Sequence, residues 1–268
     1  MSLSVDPADL RRAQELVEEA DRIVVLTGAG ISAESGVPTF RGDAGLWKSY
    51  RPEELATPQA FRRDPRLVWE WYAWRRSLVA DCRPNDAHLA LARLALEDPR
   101  RTTLVTQNVD GLHHRAARVE ASTEDRPAEG GYPLEVHGAI HRDRCSGCGR
   151  HEESPEPVDA TSEATLPRCG DCGSLMRPDV VWFGEALDPD VIGASMSAAG
   201  EADLCLVIGT SAVVHPAAAV PEVTRRAGGR VVELNLEPTP VSGYADVSLL
   251  GKAGTLVPQL LNPGRSPA

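Results

Sequence analysis

Four cysteines, arranged in two closely spaced pairs, constrain the fold of this chain more than any other feature. Cys145 and Cys148 form the first C-x-x-C pair, Cys169 and Cys172 form the second, and 20 residues separate the pairs. The surrounding segment, 141–177, is polar and poor in large apolar side chains, so it cannot bury a core of its own and needs a cross-link. Four thiolates complete the tetrahedral shell of a zinc ion and leave no position for water. The pattern therefore predicts a structural zinc site in a zinc ribbon; unconnected thiols or redox pairs are the alternative.

The N-terminus and the composition favour a cytoplasmic protein with reduced thiols. Residues 1–20 contain neither the basic nor the apolar stretch of a signal peptide, and no apolar run approaches the ~18 residues that a membrane span requires. In a reducing compartment, C-x-x-C pairs are metal ligands more often than disulfides. Twenty-eight Lys and Arg residues against 39 Asp and Glu residues give a net charge of −11, which argues against a nucleic-acid-binding face. We expect no nucleic-acid partner, no membrane partner and a monomeric chain.

Outside the cysteine segment, apolar β-branched runs alternate with amphipathic stretches. The runs predict strands, most of them buried on both faces, at 22–27, 102–106, 134–137, 180–183, 204–209 and 230–235. The amphipathic stretches predict helices at 7–20, 62–82, 86–97, 188–201 and 215–227. Polar residues with Pro and Gly predict an exposed loop at 120–131. This alternation predicts an α/β fold built on a Rossmann-like, doubly wound parallel sheet.

A glycine-rich turn follows the first predicted strand. Gly28, Gly30 and Ala33 match the dinucleotide pattern G-x-G-x-x-G/A, in which tight backbone lets a pyrophosphate approach amide groups. A Rossmann dehydrogenase would place an acidic residue at the end of the next strand, about 20 residues later. Here that interval holds 38–43, which is predicted to be loop. The turn thus predicts a nucleotide site without hydride-transfer architecture; a tight turn without a ligand is the alternative.

Two further polar groups are predicted at the same edge of the sheet. Residues 107–110 (Gln-Asn-Val-Asp) follow the end of a predicted strand, where open α/β sheets bind ligands. Amide and carboxylate groups there could hold a carboxamide and sugar hydroxyls, although a turn with Asx hydrogen bonds is the alternative. His137 follows another short strand and is a candidate general base because of its near-neutral pKa, although a lone histidine is more often structural.

Together these residues resemble the sirtuin family of NAD-dependent protein deacylases over roughly 10–260. The matching segments, in order, are GAGIS (28–32), GVPTFRG (36–42), TQNVDGLH (106–113), VHG (136–138), the paired C-x-x-C, RPDVVWFGE (177–185), GTSAVVHPAA (209–218) and NLEPTP (235–240). The resemblance implies a Rossmann-like NAD-binding domain, discontinuous over 1–38, 84–140 and 178–268. It also implies a smaller domain from a helical insert (39–83) and the zinc ribbon (141–177).

The resemblance also implies the ligands and roles of the site. NAD would be held by Gly28, Ala29, Gly30, Thr39, Phe40, Arg41, Gln107, Asn108, Asp110, Gly209, Thr210, Ser211, Asn235 and Glu237. His137 would be the base in a reaction that moves the acyl group from a protein lysine to ADP-ribose and releases nicotinamide. The acyl-lysine peptide would pair as an added strand with Val181, Trp182, Phe183 and Gly184.

One predicted helix carries a pair of residues that could determine which acyl group is removed. Tyr72 and Arg75 are three residues apart, so they share a helical face and could converge on a carboxylate. The Y-x-x-R pair resembles class III sirtuins, which remove succinyl, malonyl and glutaryl groups, and Ala56 matches the small residue that widens the acyl pocket in that class. Acetyl removal is expected as a second activity. An amphipathic helix with core aromatic residues and solvated arginines is the alternative.

Other functions compete with acidic-acyl removal. A plain NAD-dependent deacetylase would lack the carboxylate clamp, and an ADP-ribosyl-transferring or nucleotide-sensing sirtuin-fold protein would lack the base or the acyl channel. A nucleic-acid-binding zinc ribbon would need a basic, aromatic stripe near 141–177, and an NAD-linked dehydrogenase would need the missing acidic residue.

Overall fold

The computed structural model describes residues 5–38, 50–123, 127–154 and 157–261. Its strands are β1 (Ile23–Thr27), β2 (Thr102–Thr106), β3 (Leu134–Glu135), β4 (Gly138–Cys145), β5 (His151–Glu153), β6 (Met176–Val180), β7 (Leu204–Ile208), β8 (Arg230–Asn235) and β9 (Val247–Leu250). Its α-helices are α1 (Pro7–Glu19), α2 (Ala29–Ser32), α3 (Pro52–Leu55), α4 (Pro58–Arg63), α5 (Pro65–Ala80), α6 (Asp86–Glu97), α7 (Leu112–Thr123), α8 (Pro189–Glu201), α9 (Val220–Arg226) and α10 (Ala253–Leu261). No helix in these ranges is both long and apolar enough to span a bilayer.

A six-stranded parallel sheet organises the larger part of the fold, in the order β3-β2-β1-β7-β8-β9. The central strands β1 and β7 are buried at every position, which explains their continuous apolar sequences. One face of the sheet packs against α1, α6 and α10, and the other packs against α8 and α9. Strand order reverses between β1 and β7, so a crevice opens at their carboxyl ends. The predicted doubly wound fold is confirmed.

Proline after a capping side chain starts four of the helices. Asp6, Thr57, Asp64 and Asp188 each accept a hydrogen bond from a backbone N–H of the first turn, and each precedes a proline. Such a proline costs no hydrogen bond at a helix start and presets the helical φ angle. Asn85 caps α6, as the sequence predicts.

Several predicted boundaries are wrong. The helix at 62–82 is two helices, because Asp64 leaves the helical conformation to cap α5. Residues 120–123 of the predicted loop continue α7, residues 215–219 precede α9, and the strand placed at 180–183 is β6, which ends at Val180. Strand β9 and helix α10 were not predicted: β9 has four residues, and Gly254 and Pro258 weaken the helical pattern of α10.

A second sheet, in the order β5-β4-β6, is antiparallel and shares a core with α5. This core contains Trp69, Trp71 and Tyr72 of α5 together with Met176 and Trp182. Trp182 belongs to the range 178–268 of the sequence-derived NAD-binding domain but packs in this core. The domain boundaries therefore stay a prediction.

Arg76 attaches α5 to the second sheet. It is 9% exposed, and its guanidinium donates to Asp143 Oδ1 (2.6 Å), to Ile140 O (2.6 Å) and to Ser154 Oγ (3.1 Å). The group also stacks on the Trp69 ring. The sequence interpretation of Arg76 as a solvated arginine is therefore wrong, and its neighbour Arg75 does not share this role.

The four predicted zinc ligands meet at one end of the second sheet. Their sulfur atoms all lie within 4.8 Å of one another, with Cys145 Sγ 3.4 Å from Cys172 Sγ and Cys148 Sγ 3.6 Å from Cys169 Sγ. A tetrahedral zinc with bonds of about 2.3 Å places its sulfurs about 3.8 Å apart. The donor set therefore fits a structural zinc ion. Cys82 and Cys205 are buried elsewhere, as predicted.

Replacing Arg76 with Met should lower the free energy of unfolding by about 3–5 kcal/mol, because Asp143 would remain buried without its partner. Denaturant unfolding of the zinc-loaded protein measures this change. Arg66→Met is the matched control on the same helix: its pair with Glu70 is only half-buried, so it should cost less than about 1 kcal/mol. Equal losses for the two variants would contradict the assignment.

Zinc should be tightly bound at one equivalent per chain, and Cys169→Ser should lose it. Removing the metal should unfold the second sheet, because the segment has few apolar contacts to replace it. Elemental analysis gives the stoichiometry, and hydrogen exchange over β4–β6 gives the loss of structure. Full retention of exchange protection after chelation would contradict a structural zinc.

Candidate functional site

Backbone packs directly on backbone where the strand order reverses. Gly28 N donates to Ile208 O, and Gly30 N donates to Gly209 O at 2.8 Å. A Cβ on Gly30 would lie 2.7 Å from the Gly209 oxygen, and Gly209 has φ = +60° with Ile31 N only 2.4 Å from a Cβ position. All three glycines are thus required by packing alone. Their role toward a dinucleotide stays a prediction.

Amide side chains tie the carboxyl ends of four parallel strands together. Gln107 Nε2 donates to Thr210 Oγ1 (2.8 Å), and Asn235 Nδ2 donates to Thr210 O (2.8 Å). Asn108 Nδ2 donates to Gly28 O (3.1 Å). The structure therefore brings these predicted residues to one edge of the sheet. Ala29 and Ser211 lie half-buried at the same edge, and Glu237 is exposed beyond β8.

Asp110 lies in a buried network behind this edge. Its carboxylate accepts hydrogen bonds from Ser32 Oγ (2.7 Å) and Leu112 N (2.9 Å). Burial raises the pKa of Asp110, and the two hydrogen bonds and the Arg115 charge act in the opposite direction. The two hydrogen bonds fix the orientation of the carboxylate, so its remaining lone pairs point in a fixed direction.

Two histidines missed by the sequence interpretation complete this network. His88 Nδ1 lies 3.1 Å from Asn85 Oδ1 and 3.4 Å from Asn85 N, and its Nε2 lies 3.3 Å from Ser32 Oγ, whose own hydrogen goes to Asp110. Burial lowers the pKa of His88 to about 3, so it is neutral. His113 packs on the His88 ring and is also kept neutral by burial. His113 closes the recognised segment TQNVDGLH (106–113) but was given no role there, and the distances along the chain gave no signal for His88.

His137 is oriented by the residue that opens the Gln-Asn-Val-Asp segment. Its Nδ1 lies 3.0 Å from Gln107 O. Because a carbonyl oxygen only accepts, Nδ1 must carry the hydrogen, which leaves Nε2 as the basic nitrogen of the neutral ring. Burial lowers the pKa of His137, and the bond to Gln107 acts against this shift. His137 is therefore neutral at pH 7 and able to accept a proton at Nε2.

The predicted peptide-binding segment runs directly beside His137. Val181 N donates to His137 O (2.9 Å), and Phe183 N donates to Ala56 O (2.9 Å). Trp182 N donates to Glu185 Oε2 (2.9 Å). Three N–H groups of the segment are thus used within the chain. Phe183 is 49% exposed, and Gly184 has φ = +87°, which turns the chain away.

The predicted acyl residues lie in the core beneath this segment. Tyr72 is 1% exposed, and its hydroxyl accepts a hydrogen bond from Trp182 Nε1 (2.9 Å). Ala56 is also buried. The guanidinium of Arg75, half-buried, stacks on the Trp71 ring with 4.8 Å to its centroid.

Tyr72 and Arg75 affect each other's pKa. Burial raises the pKa of Tyr72 and the charge of Arg75 lowers it; burial lowers the pKa of Arg75, and Tyr72 and Asp110 raise it. The charge of Arg75 therefore interacts with both Tyr72 and Asp110. Of the predicted site residues, Thr39, Phe40 and Arg41 lie outside the described ranges.

Comparison with known proteins gives relatives over nearly the whole chain. An NAD-dependent protein deacylase 2 from Pyrobaculum aerophilum is 47% identical over 92% of each chain. An NAD-dependent protein deacylase from Pyrococcus furiosus is 45% identical over 94% of this chain and 96% of that protein.

Solved structures that resemble this chain are also of Sir2 proteins. A Sir2 homologue in complex with NAD is 45% identical and superposes with a TM-score of 0.83, covering 94% of this chain and 93% of that chain. A Sir2 complex with p53 peptide and NAD+ is 30% identical, with a TM-score of 0.80 over 95% and 98%. The Sir2 family model matches residues 28–216, and the chain belongs to the Sir2 family.

Proposed function

We propose that this protein is an NAD-dependent protein-lysine deacylase that prefers acidic acyl groups and also removes acetyl groups. Membership of the Sir2 family and identities of 45–47% to NAD-dependent protein deacylases support the coarser activity. The observation that carries the chemistry is the neutral His137, whose Nδ1 hydrogen is held by Gln107 O beside the polar edge of the sheet.

The polar edge fits the cofactor by its chemistry. Amide and hydroxyl groups of Gln107, Asn108 and Ser211, with Asn235 at the far strand, suit sugar hydroxyls and phosphates, and Asp110 suits a carboxamide N–H. When bound there, NAD supplies the ribose carbon to which an acyl oxygen can be transferred as nicotinamide leaves. Glu237, Thr39, Phe40 and Arg41 are further proposed contacts.

His137 serves as the base. It accepts a proton at Nε2 from a hydroxyl brought within hydrogen-bond reach, and the Nδ1–H bond to Gln107 O stabilises the imidazolium that results. Because burial lowers its pKa, the ring readily returns that proton to water. The same bond fixes the ring orientation, so Nε2 needs no reorganisation before proton transfer.

An acyl-lysine protein is the proposed partner, bound as an added strand along 181–184. Since the N–H groups of Val181, Trp182 and Phe183 are used within the chain and Trp182 O accepts from Glu185 N, pairing would rely on the carbonyl oxygens of Val181 and Phe183 and on Gly184 N–H. Backbone pairing of this kind places the acyl-lysine without requiring a particular flanking sequence.

The acidic-acyl preference rests on Tyr72 and Arg75. The charge of Arg75 lowers the pKa of the Tyr72 phenol more than that of Arg177 does, and a phenol with a guanidinium can hold one carboxylate through charge-assisted hydrogen bonds. Ala56, a small residue buried in the same core as Tyr72, is the third proposed acyl contact. Succinyl, malonyl and glutaryl groups have this chemistry.

A plain deacetylase is the second candidate. Tyr72 is 1% exposed, and its hydroxyl already accepts a hydrogen bond from Trp182. A core aromatic residue without a role in acyl binding would have the same environment, which favours this candidate.

The pH dependence of kcat/KM should have an acidic limb with its midpoint below 6.5. Only the neutral ring accepts a proton, so activity is full above the lowered pKa of His137 and is lost as pH falls through it. Nicotinamide release from an acyl-lysine peptide measures the profile. His137→Gln should lower the rate by about 10²–10⁴-fold, whereas His151→Gln, on the exposed β5, should leave the limb in place. A midpoint above 6.5 would be incompatible with a buried neutral base.

Arg75→Met should lower the ratio of desuccinylation to deacetylation by at least about tenfold, because a hydrogen bond to a charged group contributes about 1.5–3 kcal/mol. The measurement is mass spectrometry of one lysine peptide carrying each acyl group in turn, with NAD. Arg66→Met on the same helix should leave the ratio unchanged. If acetyl removal is faster in the parent enzyme and Arg75→Met has no effect, the plain deacetylase is correct.

A further inference from the structure

The indole of Trp182 lies under the peptide-binding segment and points away from it. Its Nε1–H donates to the Tyr72 hydroxyl oxygen at 2.9 Å, and both side chains are at most 2% exposed. The Phe61 ring packs beside the indole, with centroids 5.3 Å apart. The backbone of Trp182 thus belongs to the segment proposed to bind peptide, and its side chain ends on a residue proposed to bind the acyl group.

The direction of this hydrogen bond determines the role left to the hydrogen of the Tyr72 hydroxyl. An indole N–H can only donate, so the Tyr72 oxygen is the acceptor and its own hydrogen must be donated elsewhere. A phenol that accepts one hydrogen bond becomes a stronger donor in the next, because chained hydrogen bonds polarise one another. The charge of Arg75 acts on this phenol and lowers its pKa.

The indole is itself fixed from the opposite side. The Arg177 guanidinium stacks over the Trp182 ring with 3.4 Å to the centroid, and it donates two hydrogen bonds to the carboxylate of Glu185. Glu185 also accepts from Trp182 N. Backbone and ring of Trp182 are therefore held by one ion pair, which leaves the indole little freedom to turn its N–H away from Tyr72.

We propose that the side chain of Trp182 is a positioning residue for acyl selectivity: its N–H orients the Tyr72 hydroxyl so that the hydroxyl hydrogen is donated to the carboxylate of an acidic acyl group. This inference rests on the proposed acidic-acyl function. It also means that Trp182 belongs both to the segment proposed to bind the peptide and to the pocket proposed to bind the acyl group. A movement of the peptide-binding segment would therefore change the position of the Tyr72 hydroxyl.

A double-mutant cycle tests this role. Trp182→Phe keeps an aromatic ring beneath Arg177 but removes the donor, and Tyr72→Phe removes the hydroxyl. The readout is the ratio of desuccinylation to deacetylation by the same protein sample, which does not depend on the fraction of folded enzyme. We expect each single variant to lower the ratio about five- to tenfold, and the double variant to match Tyr72→Phe within twofold.

Trp69→Phe is the matched control. Trp69 lies in the same core, is fully buried, and donates its indole N–H to Met176 O at 2.9 Å without contacting Tyr72 through that bond. It should lower thermal stability as Trp182→Phe does and leave the ratio unchanged.

The other outcomes overturn the inference in distinguishable ways. Multiplicative effects of Trp182→Phe and Tyr72→Phe, or an equal drop in the ratio for Trp69→Phe, would show that the indole acts through packing alone. If Tyr72→Phe leaves the ratio unchanged, the acyl clamp fails and the inference fails with it. NAD-dependent deacetylation by the same samples would still support the coarser activity.

Discussion

The contact between two glycine turns at the reversal of strand order is the constraint on which the rest of the structure depends. Gly28 and Gly30 after β1 meet Gly209 after β7 with no room for a Cβ on either side. This approach brings the ends of β1 and β7 together, and Gln107 and Asn235 then reach Thr210 from the neighbouring strands. A larger side chain at any of these glycines would separate the strand ends and scatter the polar groups that now share one edge. The arrangement of the site therefore depends first on the packing of backbone against backbone and only then on particular side chains.

His137 joins this edge to the second sheet. It lies two residues after β3, which pairs with β2 at the border of the large sheet, and the next residue, Gly138, begins β4 of the small sheet. Its own carbonyl accepts from Val181, and its ring is bonded to Gln107. The base is therefore held by both sheets at once. The second sheet therefore connects the base to the four-cysteine cluster, which is remote from the polar edge in sequence.

The sequence predicted the parts of the fold and site that have local signals. Strands buried on both faces have continuous apolar runs, and the C-x-x-C pairs have a fixed spacing, so these were predicted. Strand β9 was not, because four residues carry too little pattern, and neither was the break before α5, which depends on one residue, Asp64, adopting a capping conformation. The buried ion pair of Arg76 had no signal in the sequence, because its partner Asp143 is distant along the chain. The network of Ser32, His88 and Asp110 was missed for the same reason: its members come from three separate segments and share no spacing.

The paired cysteines have a consequence for how the chain tolerates changes in length. The 20 residues between the two pairs leave the zinc cluster at Cys148 and return to it at Cys169, so both ends of that segment are held by the metal. The entropy of closing such a segment rises only with the logarithm of its length, and doubling it costs about 0.6 kcal/mol. Insertions between the pairs should therefore be accommodated with little loss of stability, whereas a single residue added within either C-x-x-C knuckle would displace a ligand. Because β5 and the buried Leu166 also lie between the pairs, the exposed residues 163–165 are the natural place in this protein for a relative to gain a new surface, or for an engineered domain to be inserted, without disturbing the two sheets.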